Sequence, residues 1–479
     1  MKVRTRFSPS PTGMIHLGNG RAALYSALFA KQQEGVFILR IEDTDAVRSE
    51  ERHVESLQED LQWLGIDWQE GPVVGGAYGP YWQSQRQDNY AKYYKILEEQ
   101  QLIYPCFCSD QELMLARKLQ LSRSQAPRYS GTCRKLSKQE IEKRIAEGKK
   151  PAWRFIVPAD TTIEFVDVVK GPQSFQSNDI GDFIVRRADG TAPFLFCNAI
   201  DDAMMEVSHV LRGEDHLANT PRQLMLLRTL ALSTPSYGHL SLIVGADGAP
   251  LSKRHGSFSL DEMRKQGYLP IAVMNYLVRL GHTCDTPDLL DFEHLASHFQ
   301  IEKLSRSPAR FDKAQLLYWQ KIAVQKLDIP SLWQWLGEEL VNQVPESQRL
   351  MFAETVKANI EFPQDAMLWS KVFFDDVLLI DTEQLPILSE TVEQFFVEAL
   401  RGVDKYGIEL LRILEDMKQN LGLNGKKLFM PLRVALTGKT YGPELVQIAA
   451  LLGKEKIKQR LNSASQLAAN GRVSYVKNS

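Results

Sequence analysis

The sequence predicts an α/β protein: a doubly wound, parallel-sheet nucleotide-binding domain, split by an inserted α+β domain and followed by all-helical C-terminal domains. Three observations carry this expectation. A strand pattern over residues 2–7, a punctuated loop, a helical pattern from about 18 to 30 and a second strand over 36–41 form the order expected of parallel strands joined by a crossover helix. Between about residues 85 and 192 that order breaks: three cysteines appear, then a basic run (Arg134, Lys135, Lys138, Lys143, Arg144, Lys149, Lys150, Arg154), then short strands. Apolar strand and helix patterns resume over about 194–244, and beyond Leu260 the strand signals almost vanish.

Composition narrows the class. A chain of 479 residues exceeds one ordinary core, so several domains are expected. With 44% hydrophobic and 24% charged residues it has the balance of a folded globular protein, not of a disordered one. No apolar run approaches the roughly 20 residues of a membrane span, and the opening MKVRTRFSPSPTG has no apolar segment of the signal-peptide kind. A cytoplasmic protein with no membrane partner is expected. Five cysteines, odd in number and sparse, argue against a disulfide scaffold. The formal charge of −2 neither demands nor excludes nucleic acid, because a polyanion responds to a local patch.

The elements have local reasons. From Ser49, the apolar positions Val54, Leu57, Leu61 and Leu64 fall on one helical face, and Gly65 stands where a left-handed C-terminal cap is usual. Near the end of the chain, Gly442-Pro443-Glu444 opens a helix carrying Leu445, Ile448 and Leu452 before Gly453, with proline in the first turn.

The loop after the first strand reads Phe7-Ser8-Pro9-Ser10-Pro11-Thr12-Gly13-Met14-Ile15-His16-Leu17-Gly18-Asn19. Its prolines fix φ and remove N–H groups, and its glycines let a bulky ligand approach the backbone. Placed before a helix, the loop offers that helix's free N–H groups and positive dipole end to a phosphate. The string resembles the first signature of class I aminoacyl-tRNA synthetases, and Arg6, Ser8 and Ser10 point to the glutamyl/glutaminyl branch. A matching element, Asp247-Gly248-Ala249-Pro250-Leu251-Ser252-Lys253-Arg254-His255-Gly256, resembles the second signature, with Pro250 where the family has its first lysine.

The resemblance implies an enzyme that joins glutamate to tRNA(Glu) with ATP and Mg²⁺, His16 and Lys253 stabilising the phosphate charge electrostatically. Pro11, Gly13, Gly18, Asn19, Ser252 and Arg254 would share the ATP site. Glutamate needs an arginine fork for a carboxylate and an acid for its ammonium. Arg6, Ser8, Ser10, Glu42, Phe194, Asn198 and Arg212 are the candidates, with residues 194–198 taken as a strand preceding Arg212-Gly213-Glu214-Asp215. Phe194 stands where the family commonly has tyrosine, which removes a hydroxyl but keeps the ring.

Cys106, Cys108 and Cys133 supply three thiols where zinc needs four ligands. In some relatives a tyrosine four residues before the third cysteine completes the set, a place Tyr129 holds here. The other reading makes these cysteines small core residues, as Cys197 and Cys284 are expected to be.

The resemblance further implies a catalytic domain at residues 1–84 and 193–244, an acceptor-stem insertion at 85–192, and a stem-contact helical region at 245–322. Helical anticodon-binding domains would follow at 323–375 and 376–479. The last is supported by Gly425-Lys426-Lys427-Leu428-Phe429-Met430-Pro431-Leu432-Arg433 and the segment after it. A monomer is implied. Charging of tRNA(Gln) is left open by the sequence, as are two rival readings: a related nucleotidyltransferase using another acid, or a tRNA-binding protein without catalysis.

Overall fold

A computed structural model describes residues 2–44, 51–251, 259–380 and 382–476. The chain divides into two compact units, Met1–Lys265 with Pro270–Leu316, and Gln266–Leu269 with Leu317–Ser479.

In the first unit the strand Arg4–Phe7, buried throughout, runs parallel to Val36–Leu39 with Arg4 opposite Val36. The helix Leu17–Gln32 makes the crossover between them. The strand His209–Gly213 runs parallel to Ser236–Leu240 and joins the first pair through the Ser208 N–H, which donates to the Arg4 carbonyl at 2.9 Å. On the far side, single parallel bridges at Ile38–Glu70 and Ile41–Trp82 extend the sheet. The doubly wound α/β expectation therefore holds. The helix Glu51–Trp63 buries Val54, Leu57 and Leu61, and Gly65 takes a φ of 73°, as a left-handed cap requires.

The broken stretch is α+β. Ile103–Cys106, Ala152–Phe155 and Phe183–Arg186 form an antiparallel sheet, and Thr162–Asp167 pairs antiparallel with Gly171–Gln176.

One expectation fails. Residues 194–198 are not a strand but open the helix Phe194–Met204. The helix is buried at every position from Phe196 to Ala203, and its polar residues Asn198, Asp201 and Asp202, spaced i, i+3 and i+4, meet buried partners instead of solvent, so only the apolar opening Phe194 to Cys197 was ambiguous. A short apolar run buried all round reads equally as strand or helix. Cys197 is buried as expected, whereas Cys284 is only half-buried.

The second unit is helical. Phe352, Phe373 and Trp369 share one core, Phe395 and Phe396 another, and Ile413 packs against Gly402, where a Cβ would lie 2.7 Å from its Cγ2. Gly442, at φ 124°, passes so close to Trp369 that a Cβ would meet the ring at 2.1 Å. The last helix starts at Leu445, after Pro443, and Gly453 leaves helical geometry within it. Among the described residues no helix is long and apolar enough to cross a membrane.

Candidate active site

The ends of the parallel strands open onto a cleft of about 660 Å³, lined by the loop after the first strand, the start of the helix Leu17–Gln32, the helix Phe194–Met204 and the strand carrying Arg212. Open α/β sheets bind ligands at this place because the strand ends diverge there and helix N-termini point inward. The first helix begins with Leu17, Gly18 and Asn19, and has no acidic residue in its first turn to occupy its free N–H groups. Gly18 and Asn19 line the cleft. Neither Gly13 nor Gly18 has any atom within 4 Å of where a Cβ would stand.

All seven residues expected to hold the amino acid lie on this cleft: Arg6, Ser8, Ser10, Glu42, Phe194, Asn198 and Arg212. Of the phosphate-loop residues, Pro11 is buried, Gly13 and His16 are exposed, and none of the three is on the lining. His16 holds the N-cap position without capping by its side chain, and its carbonyl accepts from the Gly20 N–H at 2.9 Å. Pro250 is on the lining, while Ser252, Lys253 and Arg254 lie outside the described residues.

Beneath the lining runs a buried polar network. Asp202 accepts from Arg40 Nη1 at 2.7 Å and from Arg6 Nε at 3.3 Å. Burial pushes its carboxyl upward, but the two guanidiniums outweigh burial and hold it below its ordinary value. Glu42 is within 3.2 Å of Arg40 Nη2 and accepts from Asn198 Nδ2 at 2.6 Å, yet burial wins there and raises its pKa. The Asn198 carbonyl in turn accepts from Gln223 Nε2 at 2.8 Å, so its amide is occupied at both ends.

Arg212 is 6% exposed, lies over the Tyr237 ring, and among the described residues hydrogen-bonds neutral groups alone: Thr220 Oγ1 at 2.8 Å and Gln223 Oε1 at 2.7 Å from Nη2, and His239 Nε2 at 3.2 Å from Nε. Its Nη1 has no hydrogen-bond partner among the described residues. Burial lowers its pKa to about 10, so it remains a cation at neutral pH. A buried cation without a carboxylate is costly unless an anion arrives, and the cleft is where one would. His216 and Phe194 stand with ring centroids 5.3 Å apart on the lining, and burial lowers His216 to about 4, leaving it neutral.

Sequence reasoning missed Arg40, Gln223, Thr220, His239 and Asp167. Two acids inside an apolar stretch, as in Phe194-Leu195-Phe196-Cys197-Asn198-Ala199-Ile200-Asp201-Asp202, are the available signal that buried cations must face them.

In the insertion, the Sγ atoms of Cys106, Cys108 and Cys133 lie within 4.8 Å of one another, Cys108 and Cys133 at 3.6 Å. Tyr129 Oη is 3.4 Å from Cys106 Sγ and 3.5 Å from Cys108 Sγ. Tetrahedral zinc sets its sulfurs about 3.8 Å apart and an oxygen about 3.5 Å from each sulfur, so the four side chains fit such an ion. Arg154 lies over the Tyr129 ring at 3.7 Å, but burial and the neighbouring thiols push the Tyr129 hydroxyl up, so a ligating phenolate would have to form on metal uptake.

Residues 2–318 match the family of class I tRNA synthetases (E and Q), catalytic domain, and residues 324–465 match an anticodon binding domain. The glutamate–tRNA ligase 2 of Coxiella burnetii is 52% identical over 464 residues, 97% of this chain and 100% of that protein. That of Nitrosococcus oceani is 52% identical over 461 residues, 96% and 98% of the two chains. The crystal structure of a glutamate tRNA ligase from Elizabethkingia meningosepticum, in complex with its amino acid, superposes with a TM-score of 0.85 at 29% identity, covering 97% of this chain and 99% of that one.

Proposed function

This chain belongs to the class I tRNA synthetases (E and Q), and from that premise we infer that it is a glutamate–tRNA ligase, activating glutamate with ATP and passing it to the 3′ end of tRNA(Glu). The observation that carries the choice of amino acid is Arg212: a buried, charged guanidinium on a residue that lines the cleft, surrounded by neutral acceptors and with Nη1 unpartnered among the described residues. It takes the side-chain carboxylate of glutamate, which glutamine's neutral amide cannot replace. Arg6, with Ser8 and Ser10, borders the same space and meets the rest of the amino acid, and Glu42 faces its ammonium.

The reaction needs no side-chain nucleophile. An oxygen of the glutamate α-carboxylate attacks the α-phosphorus, pyrophosphate leaves, and a hydroxyl of the terminal ribose then attacks the acyl carbon of the adenylate, releasing AMP. Charge moves toward pyrophosphate in the first step, so donors around the phosphates lower the barrier. The N–H groups at Gly18 and Asn19 supply them, with His16 and Lys253 as side-chain donors and Mg²⁺ arriving on ATP. Cys106, Cys108, Cys133 and Tyr129 would hold a zinc ion that ties the insertion together. The helical second unit binds the anticodon, and the basic insertion grips the acceptor end. The enzyme acts as a cytoplasmic monomer.

The test is charging of purified tRNA species with labelled glutamate or glutamine. Glutamate on tRNA(Glu) alone is a discriminating ligase, and glutamate on both tRNA(Glu) and tRNA(Gln) a non-discriminating one. Charging of neither, with tRNA and ATP present, overturns the reading.

A further inference from the structure

We propose that Asp167 and His239 are positioning residues for amino-acid selection, fixing the imidazole in the one tautomer that can accept a hydrogen bond from Arg212 and so holding that guanidinium in the orientation in which it meets the substrate carboxylate. The inference rests on the role given to Arg212 under the proposed function.

Two groups face His239 Nε2: the Thr220 hydroxyl at 3.0 Å, which can donate to it while accepting from Arg212 Nη2 at 2.8 Å, and the Arg212 guanidinium. Arg212 Nε–H can only donate, and it faces His239 Nε2 at 3.2 Å. Nε2 must therefore carry a lone pair. The ring's proton then sits on Nδ1, which stands 2.5 Å from Asp167 Oδ2. A doubly protonated ring would set two donors against each other beside a guanidinium. Both His239 and Asp167 are fully buried. Burial and the neighbouring Arg212 lower the His239 pKa against the pull of Asp167, in keeping with a neutral ring.

Asp167 is itself held by its other oxygen. Oδ1 accepts from the backbone N–H groups of Val169 at 2.9 Å, Lys170 at 2.7 Å and His239 at 3.2 Å. With Oδ1 committed to three donors, Oδ2 is the only acceptor left for the ring. Asp167 closes the strand Thr162–Asp167, within the stretch that interrupts the catalytic sheet, so a residue of the insertion sets the orientation of a residue in the amino-acid cleft.

This gives an asymmetric prediction for a nearly isosteric change. In Asp167→Asn the single remaining oxygen must stay with the three backbone donors, which turns the amide NH₂ toward His239 Nδ1. Nδ1 must then accept, the proton moves to Nε2, and a donor faces Arg212 Nε–H. Losing a buried, charge-assisted hydrogen bond of this kind is expected to raise KM for glutamate roughly tenfold to a hundredfold while KM for ATP stays within about twofold. His239→Gln can still offer an oxygen to Arg212 and an N–H to Asp167, and should keep more glutamate affinity than His239→Leu.

The experiment is tRNA-dependent, glutamate-dependent pyrophosphate exchange for wild type, Asp167→Asn, His239→Gln and His239→Leu, with melting temperatures and the ¹⁵N shifts of His239 recorded for wild type and Asp167→Asn. A selective rise in glutamate KM, partial rescue by His239→Gln and a change of tautomer in Asp167→Asn are the expected results. KM values for glutamate and ATP that rise together, or an Nε2–H tautomer in the wild type, overturn the proposal. Absence of glutamate-dependent exchange in the wild type overturns the proposed function itself, which keeps the two failures apart.

Discussion

Arg40 Nη1 stands 2.7 Å from Asp202 Oδ1, and neither side chain is exposed to solvent. The same oxygen takes Arg6 Nε at 3.3 Å, so one carboxylate is shared by two buried guanidiniums, Arg40, which also meets Glu42 at 3.2 Å, and Arg6, which borders the cleft. Removing one member of a buried pair leaves an uncompensated charge, which costs about 3–5 kcal/mol. Asp202→Ala is therefore expected to lose that much stability in denaturant unfolding, with glutamate affinity falling as Arg6 loses its anchor. A loss below about 1 kcal/mol would show that the cations are compensated elsewhere.

Asp60 gives a pH dependence with a definite sign. It is buried on the helix Glu51–Trp63, and neither carboxylate oxygen has a hydrogen-bond partner among the described residues. The helix Leu260–Gln266 faces it with Arg264, whose Nη2 is 3.9 Å from Asp60 Oδ1 but closer to Glu59 and Asp261, at 3.1 and 3.2 Å. Burial raises Asp60 to about 7; Arg264 and Lys265 oppose the rise, while Asp261 and Glu59 add to it. The folded value exceeds that of an unfolded aspartate. Between about pH 4 and 7 the native chain thus keeps a proton that the unfolded chain has lost, and the contribution to stability falls as pH rises through that window. Asp60→Asn should match wild type in melting temperature near pH 4, exceed it increasingly up to pH 7, and hold a constant advantage above. A difference that does not change with pH would rule this out.

What the sequence disclosed and what it hid divide along a physical line. The strand, loop and helix around Phe7 to Asn19 were readable because prolines and glycines punctuate them and apolar periodicity marks their ends. The seven residues expected to hold the amino acid were readable because Arg6, Glu42 and Arg212 stand at or beside strand ends and the other four follow from the motif resemblance, and all seven line the cleft. The helix Phe194–Met204 was misread as a strand at its start because Phe194 to Cys197 is a short apolar run that fits either element, although Asn198, Asp201 and Asp202 at i, i+3 and i+4 already mark a helical face. Arg212 was visible, but His239 and Asp167 behind it were not, since they stand 27 and 45 positions from it in the chain and meet it only through folding.

The cysteine cluster separates a metal site from a packed core by measurement. If zinc is held by Cys106, Cys108, Cys133 and Tyr129, metal analysis of the purified chain finds a single zinc ion, Cys108→Ser loses it, and a chelator lowers the melting temperature of the wild type but not of the variant. Among the groups concerned, Cys108 is pushed up to about 12 by burial and by the neighbouring thiols in the metal-free chain, so metal uptake must also release protons. A zinc-free protein with an unchanged melting temperature under chelator assigns the cysteines to packing.

Gly18 allows the demands of the fold to be separated from those of the ligand. It lies in the first turn of the helix Leu17–Gln32, its φ is not in the left-handed region, and a Cβ there would meet nothing within 4 Å. Nothing among the described residues therefore requires glycine, and alanine is the better helix former by up to about 1 kcal/mol. Gly18 nevertheless lines the cleft at the point where the helix offers its N–H groups, and a phosphate drawn to those groups would come within contact of any side chain placed there. Gly18→Ala is expected to preserve or slightly raise the melting temperature while raising KM for ATP at least tenfold and leaving tRNA affinity unchanged. A lower melting temperature would mean that the backbone needs the glycine after all, and an unchanged KM for ATP would move the phosphates away from this helix end.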